Sequence, residues 1–286
     1  MITSPSNQHI AQLHSLHTPK GRAQEDSFLI EGPHLLDAAL DAHLVPRLIV
    51  YDPEQLGRGA RGRQLLGRIE AARAAGATAL EAAPAALERA SEARTPQGVV
   101  AAVATADVAP EKVRARRRGR FRPLLFVVDG VSDPGNLGTL LRSALAADVD
   151  EVLLAPGSAD PLGPKVVRAA SGAHFHLPIR AGVSWEQITA AVYGTPPATQ
   201  VLLADAEARR AYDAFDLTQR TALVVGNEAH GPSREARRLA TEGVSIPMWN
   251  RVESLNAAIA ASVILFEGAR QRRAKEVSRA SEADHE

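Results

Sequence analysis

The sequence predicts an α/β protein of two domains, the larger of which contains a parallel β-sheet. The chain has 286 residues, which exceeds the usual length of one domain and is enough for a sizeable hydrophobic core. In residues 123–250, short apolar runs alternate with helical stretches, a pattern typical of parallel strands covered by helices. An arginine-rich run, KVRARRRGRFR at 112–122, separates this region from the preceding one.

Residues 1–105 are predicted to form a small α/β domain. Segments such as AALDAHLVPRLIVYD and LLGRIEAARAAGATALEAAP join helical stretches to short apolar strands, and RTPQGVVAAVAT closes the domain. Residues 106–122 are expected to be an extended basic linker, because Pro110 interrupts them and no apolar periodicity crosses them. The six arginines and one lysine of 112–122 can neutralise RNA phosphates, although a solvated linker would explain them equally well.

The second domain is predicted to span residues 123–273. Its strands are expected in five apolar runs, PLLFVVDGV, EVLLAP, QVLLADA, TALVVGN and GVSIPM. Helices are expected between them, in NLGTLLRSALAAD, GPKVVRAASG, WEQITAAVYG and SREARRLA. Ligands of parallel sheets bind beyond the carboxyl ends of the strands, so the loops after these strands are predicted to hold the site. The polar residues 274–286 are expected to form a disordered tail.

Composition excludes several kinds of site and of protein. The absence of cysteine rules out disulfides, thiolate zinc sites and cysteine nucleophiles. Lys+Arg and Asp+Glu residues number 33 each, so the overall charge does not point to a nucleic-acid partner. No apolar run reaches the roughly 18 residues of a membrane span, and the start of the chain has no signal-peptide block. We therefore expect a cytoplasmic protein.

The loop after the first strand of the second domain, DGVSDPGNLGTLLRSA (129–144), has features that suit an anion. Asn136 is expected to cap a helix, and Gly135 and Gly138 let a ligand approach the backbone and its free amides. Arg142 follows about two turns along the helix. A P-loop and a complete Gly-x-Gly-x-x-Gly are absent. A tight turn with an exposed arginine would also explain this stretch.

A second loop, VVGNEAHGPS (224–233), follows another predicted buried strand. Its amide and carboxylate, Asn227 and Glu228, could hold a ribose, an amine or a basic side chain, although an ordinary glycine-rich turn is the simpler interpretation. No other histidine or carboxylate stands at helical ligand spacing from His230, so we expect no metal ion there. His174 and His176 alternate along a predicted strand and are expected to face solvent or to pack against neighbouring residues.

The third loop belongs to IPMWNRVESLNAAIAASVILFE (246–267), where a helix is expected to begin at Ser254. The helix has an expected apolar stripe of Leu255, Ile259, Val263 and Phe266. A second face consists of small residues, Ala257, Ala258, Ala261 and Ser262. Small residues allow another backbone to approach, for plain helix packing or otherwise. Ser254 and Asn256 can cap the helix or bind a ligand at its free amides.

In this order, the three loops resemble the signature motifs of the SpoU/TrmH family of RNA 2′-O-ribose methyltransferases. The first motif is Asp-Pro-Gly-Asn-Leu-Gly with Arg142, the second is Gly-Asn-Glu with Gly231, and the third is Ile-Pro-Met followed by Glu-Ser-Leu-Asn-Ala-Ala. The resemblance covers about 123–273. Residues 28–40 and 91–101 look like the small RNA-binding domain that often precedes the catalytic domain in this family.

The resemblance implies a fold, a cofactor and an assembly. Catalytic domains of this family, the SPOUT class, contain a parallel sheet whose C-terminal chain forms a deep trefoil knot, an exception to the usual unknotted topology. They bind S-adenosyl-L-methionine in the knot and act as homodimers through helices of the knotted region. The positions that match cofactor-binding residues are Gly226, Ile246, Met248, Leu255 and Asn256. No metal is implied.

The resemblance also implies catalytic roles. Arg142 matches the catalytic residue usually described as the base that removes the hydroxyl proton, and Asn136 supports it. A free guanidinium keeps its proton at neutral pH, so a phosphate clamp fits the chemistry equally well. Ser254 and Glu228 are expected to shape the ribose site, and Asn256 is assigned to the same site. In either role, Arg142→Ala is expected to abolish turnover while donor binding survives.

The third motif departs from the family at two positions. Where a glycine is common, this chain has Asn250, and a bulky Trp249 precedes it. Asparagine tolerates a positive φ better than most residues, so the loop is expected to keep its shape. Trp249 could stack on a base or on the adenine, but we expect it to cover the knot.

Two alternative functions come from other classes. A dinucleotide-binding Rossmann enzyme would explain the alternating strands, but it requires an acidic residue after the second strand, and LLAPGS has none. A non-catalytic RNA-binding protein would not need Asn136, Arg142 and Asn256 together. Among RNA substrates, the N-terminal domain favours 23S ribosomal RNA over transfer RNA, because transfer-RNA relatives usually have only short terminal extensions.

Overall fold

The computed structural model describes residues 1–93, 95–117, 123–194, 200–227, 231–250 and 254–283. The chain divides into two compact units. The first contains Met1–Val113 and Asp160–His176, and the second contains Arg114–Ala159 and Leu177–Glu286. Residues 160–176, which are predicted to belong to the second domain, thus pack with the first unit.

The first unit is built on a four-stranded mixed sheet. Its strands are β1 (Ser27–Glu31), β2 (Leu48–Tyr51), β3 (Thr78–Glu81) and β4 (Val99–Ala104), in the order β1-β4-β2-β3. Strand β4 is antiparallel to both neighbours, while β2 and β3 are parallel. The helices of this part are α1 (Gln8–Ser15), α2 (Pro19–Glu25), α3 (Pro33–Asp41), α4 (Pro53–Gly57), α5 (Ala60–Ala74) and α6 (Pro84–Ala90). Separate apolar cores contain the alternate side chains of β1, such as Phe28 in one core and Leu29 in the other.

The described part of the predicted extended linker is helical instead. A 3₁₀ helix covers Thr105–Val108, and α7 covers Pro110–Ala115. The proline that was expected to break the structure stands at the first position of α7, where its missing N–H is not needed. Val113 is fully buried and fixes one side of this helix. Residues 118–122 of the basic run lie outside the described residues.

The segment 160–176 completes a core of the first unit. It contains α9 (Pro164–Ala170) and a 3₁₀ helix, Ala173–Phe175. Val167 and Phe175 belong to the same apolar cluster as Phe28. At the start of the segment, Asp160 forms an ion pair with Arg22, a buried arginine that also donates a hydrogen bond of 2.7 Å to the Leu16 carbonyl.

His174 lies in the second of these helices, so its expected place on a strand is wrong. It is 3% exposed, and its Nε2 lies 2.7 Å from the carbonyl oxygen of Pro161. Burial lowers the pKa of His174 to about 4, because the charged ring would lose its hydration. The ring is therefore neutral at physiological pH.

The second unit contains the predicted parallel sheet. Its strands are β5 (Leu124–Val128), β6 (Glu151–Leu154), β7 (Ile179–Arg180), β8 (Gln200–Ala204), β9 (Thr221–Val225) and β10 (Glu242–Val244). They lie in the order β10-β8-β9-β5-β6-β7, and every neighbouring pair is parallel. The helices are α8 (Pro134–Ala146), α10 (Trp185–Tyr193), α11 (Arg234–Leu239) and α12 (Ala257–Ala283). The α/β fold class is confirmed. Four of the five expected strands form, whereas only Gly243 and Val244 of the expected strand GVSIPM belong to β10.

Helix α12 differs from the prediction at both ends. It begins at Ala257 instead of Ser254, and it continues to Ala283 through most of the tail that was expected to be disordered. Its second half is anchored to the chain before β9. Arg272, which is buried, donates through Nε to the Leu217 carbonyl at 2.9 Å and through a terminal nitrogen to the Gln219 carbonyl at 2.7 Å.

The predicted apolar stripe of α12 is not its buried face. Ile259 and Phe266 are about half exposed, whereas Ala258 and Ala261 are buried. The small side chains let α12 pack closely on α8, and there the Ser262 hydroxyl donates to the Ser143 hydroxyl at 2.7 Å. No helix in the described ranges is both long and apolar enough to cross a membrane.

Candidate active site

A cavity of about 490 Å³ lies at the carboxyl ends of β8, β9 and β10, beside the start of α12. Its described lining contains all five predicted cofactor-binding residues, Gly226, Ile246, Met248, Leu255 and Asn256. Ser254 lines it as well. The parallel sheet brings these positions together because its strands end at one edge.

The second motif forms one wall of the cavity. A Cβ atom on Gly226 would lie 2.7 Å from both the Cα and the N of Pro232, so only glycine lets the returning chain approach so closely. Asn227 pairs with Gly231 in an isolated antiparallel bridge, and its side-chain amide donates to the Gly130 carbonyl at 2.6 Å. Glu228 and His230 lie outside the described residues.

A buried carboxylate ties the same loop to the end of β5. The Oδ2 atom of Asp129 accepts a hydrogen bond of 2.7 Å from the backbone N–H of Ser233. Ser233 is the N-cap of α11, and its hydroxyl accepts from the Ala236 N–H. The Gly231–Ser233 turn is therefore held at two points, by Asp129 at the end of β5 and by Asn227 of the second motif.

The third motif supplies the start of α12. The Asn256 Oδ1 accepts hydrogen bonds from the backbone N–H groups of Ala258 at 2.9 Å and Ile259 at 3.2 Å, which makes Asn256 the cap of the helix. The expectation that Ser254 or Asn256 caps this helix is thus met by Asn256. Asn250 has a φ of 60°, which agrees with the expectation that asparagine adopts the shape of the common glycine.

Trp249 does not have the covering role expected of it. Its side chain is 82% exposed, so it does not shield the loop of the third motif within this chain. A tryptophan so exposed leaves a large apolar surface available to a partner.

The first motif begins α8, but Asn136 is not its cap. The cap is Asp133, whose Oδ1 accepts from the Asn136 backbone N–H at 2.7 Å, and Pro134 takes the first helical position. Asn136 is freed for another contact: its Oδ1 accepts from the Asn256 side-chain amide at 3.1 Å. This hydrogen bond joins the first motif to the cavity lined by the third.

Arg142 lies on the exposed side of α8. In the ranges that the structure describes, its guanidinium forms neither a hydrogen bond nor an ion pair. Its charge is therefore available to an external anion such as an RNA phosphate. The described residues contain no group of three or more side chains suited to hold a metal ion.

Several lining residues were not predicted from the sequence, and one of them, Asp205, carries a charge. Asp205 directly follows β8 and reaches the cavity. The second predicted strand of the sheet domain is followed by LLAPGS, which has no acidic residue, whereas LLADAE, which includes the end of β8, contains Asp205. Only the strand order, which places β8 next to β9 and β10, shows that this strand end belongs to the site.

Comparison with known proteins identifies the domains. Residues 123–266 match the SpoU rRNA Methylase family, and residues 7–101 match the MRM3-like substrate binding domain. The 23S rRNA (guanosine(2553)-2′-O)-methyltransferase RlmP of Bacillus subtilis is 30% identical, over 93% of this chain and 97% of that protein. The 23S rRNA (uridine(2479)-2′-O)-methyltransferase of Streptomyces viridochromogenes is 33% identical, over 88% of this chain and 85% of that protein.

Solved structures agree with this relationship. The SpoU methyltransferase AviRb from Streptomyces viridochromogenes, crystallised in complex with the cofactor AdoMet, superimposes with a TM-score of 0.79 at 29% identity. The match covers 93% of this chain and 98% of AviRb. The three motifs, the parallel sheet and these matches lead to one conclusion: the chain belongs to the SpoU rRNA methylase family.

Proposed function

We propose that this protein transfers a methyl group from S-adenosyl-L-methionine to a ribose 2′-hydroxyl of 23S ribosomal RNA. The observation that carries the proposal is the hydrogen bond between Asn136 and Asn256, which places the first motif beside a cavity suited to a nucleoside cofactor. The relatives RlmP and the Streptomyces viridochromogenes enzyme are named for this reaction on 23S ribosomal RNA. Because RlmP and the Streptomyces viridochromogenes enzyme are bacterial, and bacterial ribosomal RNA lies in the cytoplasm, we propose the cytoplasm as the place of the reaction.

The cavity fits the methyl donor in size and in lining. Its volume of about 490 Å³ lies in the range of small-molecule sites, roughly 300–1,000 Å³. Ile246, Met248 and Leu255 offer apolar surface, while Gly226 and Asn256 expose backbone and amide groups at the strand and helix ends. When bound, S-adenosyl-L-methionine supplies an electrophilic methyl group on a positively charged sulfur.

The residues around Asn136 position the RNA. Arg142 clamps the phosphate next to the target ribose, because its exposed guanidinium offers several donors and keeps its charge. Asn136 and Asn256 fix the approach of the 2′-hydroxyl, and Ser254 lines the same side. Glu228 is assigned to the ribose site on the resemblance alone. The hydroxyl proton leaves to phosphate or to water, and the protein accelerates the reaction mainly by orientation.

We further propose that the N-terminal residues 1–105 bind RNA and that the protein is a homodimer. The name of the matched domain, a substrate binding domain over residues 7–101, supports the first point. The exposed side chains of Ile259 and Phe266 on α12, with the half-buried Val263 beside them, support the second, since a second copy would remove this apolar surface from water. The C-terminal trefoil knot of the family is proposed for the same region.

The test is transfer of labelled methyl from S-adenosyl-L-methionine to total RNA from a strain that lacks this gene, with the RNA fractionated by size. We expect label in the large ribosomal RNA, on a ribose. Arg142→Ala should abolish transfer while donor binding, measured by calorimetry, is unchanged. Arg238→Ala, which removes an exposed arginine of α11, is the matched control. Label only in the transfer-RNA fraction, or none in any fraction, would refute the ribosomal assignment.

A further inference from the structure

Asp205 is the only charged side chain among the described residues that line the cavity. It directly follows β8, at the same sheet edge as the ends of β9 and β10. Its side chain is 27% exposed, which agrees with a place on the wall of an open cavity. A carboxylate in such a position selects for hydrogen-bond donors on the ligand.

The Asp205 carboxylate is held in place by contacts that leave part of its hydrogen-bonding capacity unused. One oxygen, Oδ1, accepts from the backbone N–H of Glu207 at 3.0 Å. The other, Oδ2, lies 3.5 Å from a guanidinium nitrogen of Arg237, a pair that is largely open to solvent. Each oxygen has two lone pairs, so each can accept one further hydrogen bond from a ligand.

The sheet order fixes how far Asp205 lies from the reacting groups. Strand β9 separates β8 from β5, whose loop leads to Asn136. With about 4.8 Å between neighbouring strands, the ends of β8 and β5 are roughly 10 Å apart. Asp205 and Asn256 both line the cavity, and Asn256 is hydrogen-bonded to Asn136. A ligand group that faces Asp205 therefore lies apart from the methyl group that reacts near Asn136.

We propose that Asp205 accepts hydrogen bonds from the 2′- and 3′-hydroxyls of the ribose in the methyl donor. This inference rests on the proposed function, because it assumes that the cavity holds the donor. A vicinal diol presents two donors to the two oxygens of one carboxylate, the arrangement that an acidic residue at a strand end provides in dinucleotide-binding folds. The negative charge also directs the carboxylate of the methionine part toward another wall of the cavity.

The test measures binding, not turnover. S-adenosylhomocysteine and its 2′-deoxy and 3′-deoxy analogues are titrated by calorimetry into the full-length wild-type protein and into Asp205→Ala. We expect wild type to bind S-adenosylhomocysteine about tenfold or more tightly than either analogue, as for hydrogen bonds to a charged group. Asp205→Ala should bind all three ligands with affinities within about twofold, all near those of the analogues for wild type.

Two control variants separate this role from structural effects. Glu207→Ala removes an exposed acid from the same loop but keeps the backbone N–H that contacts Asp205, and it should retain the wild-type discrimination. Arg237→Ala removes only the ion pair with Asp205. This variant should also retain the wild-type discrimination against the deoxy analogues. Asp205→Asn, which keeps the size of the side chain, replaces Asp205→Ala if thermal unfolding shows that the alanine variant is not folded.

The outcomes distinguish this inference from the proposed function. If wild type binds S-adenosylhomocysteine and Asp205→Ala still discriminates against the deoxy analogues, the role of Asp205 is refuted while the cofactor site stands. If wild type does not bind S-adenosylhomocysteine at all, the cofactor site itself is refuted, and the role of Asp205 with it.

Discussion

The side-chain amide of Asn256 donates a hydrogen bond of 3.1 Å to the Asn136 Oδ1, from a position 120 residues further along the chain. The same Asn256 caps α12 through its own Oδ1. One residue thus sets both the start of the helix and the orientation of the first motif. The two roles use different atoms, the amide nitrogen and the carbonyl oxygen, so they can be separated by mutation.

Asn256→Asp should retain the cap and lose the link to Asn136. A carboxylate still accepts from the Ala258 and Ile259 N–H groups, but it cannot donate to the Asn136 oxygen. We expect thermal stability close to wild type and a drop in the rate of methyl transfer of at least tenfold at saturating donor. Asn256→Ala should lose both functions, with a destabilisation of about 1 kcal/mol. An Asn256→Asp variant with wild-type turnover would show that the link is not used.

Gly226→Ala should damage the cavity wall. The added methyl group would lie 2.7 Å from backbone atoms of Pro232, and backbone cannot yield as a side chain can. We expect a loss of stability of about 1–3 kcal/mol and weaker binding of S-adenosylhomocysteine, measured by urea unfolding and calorimetry.

Gly67→Ala is the matched control for this substitution. Gly67 lies inside α5, and an added Cβ there has nothing within 4 Å. The change should raise stability by up to about 1 kcal/mol, because alanine is the better helix former. Equal effects of the two substitutions would contradict the argument from close approach.

His174 should make the protein less stable as the pH falls from about 6.5 toward 4. Burial holds the pKa of His174 at about 4 in the folded chain, while in the unfolded chain it is about 6.5. The unfolded state therefore binds more protons in this window, and acid favours unfolding, by up to about 3 kcal/mol from this group alone. His174→Gln, which can still donate to the Pro161 carbonyl, should reduce the difference in unfolding free energy between pH 7 and pH 5. Burial lowers the pKa of His17 too, so part of the difference should remain.

Phe266→Glu should disrupt the proposed homodimer. Phe266 is 49% exposed on α12, in the same stripe as Ile259, and a charge there would be buried without a partner in the interface. We expect wild type to sediment as a dimer and the variant as a folded monomer at micromolar concentration. Val45→Glu, at an exposed apolar residue of the first unit, should remain dimeric. A wild-type protein that sediments as a monomer would refute the assembly.

Elements that depend only on residues close together in the sequence could be predicted from the sequence alone. Four predicted strands of the second unit, β5, β6, β8 and β9, form because a continuous apolar run can be satisfied only by burial on both faces. Most of the fifth predicted strand, GVSIPM, lies outside β10, an edge strand with one buried residue, Val244. The start of α8 was misplaced, although Asp133 before Pro134 is itself a start signal. The Asp133-Pro134 pair therefore predicts the correct start of the helix, and Asn136, which is also a common cap residue, predicts a start that is three residues too late.

Other features depend on partners that periodicity does not identify. Helix α12 has two faces that could be buried, one with Ile259 and Phe266 and one with Ala258 and Ala261. The second face also contains the buried Ile264 and Leu265, so hydrophobicity does not choose between the faces, and packing on α8 selects the second. Asp205 was missed for a related reason, since its importance follows from the order of the strands and not from its own surroundings in the sequence.

The place of Asp160–His176 in the first unit has a consequence for synthesis on the ribosome. The cluster that contains Phe28 also needs Val167 and Phe175, and Arg22 needs Asp160. This part of the chain therefore cannot complete its core when residue 113 has emerged from the exit tunnel. It must wait until translation has passed residue 176, by which time β5, α8 and β6 have also been made. Early-formed strands stay partly uncovered during this interval, and exposed apolar surface of this kind makes a partly folded chain prone to aggregation.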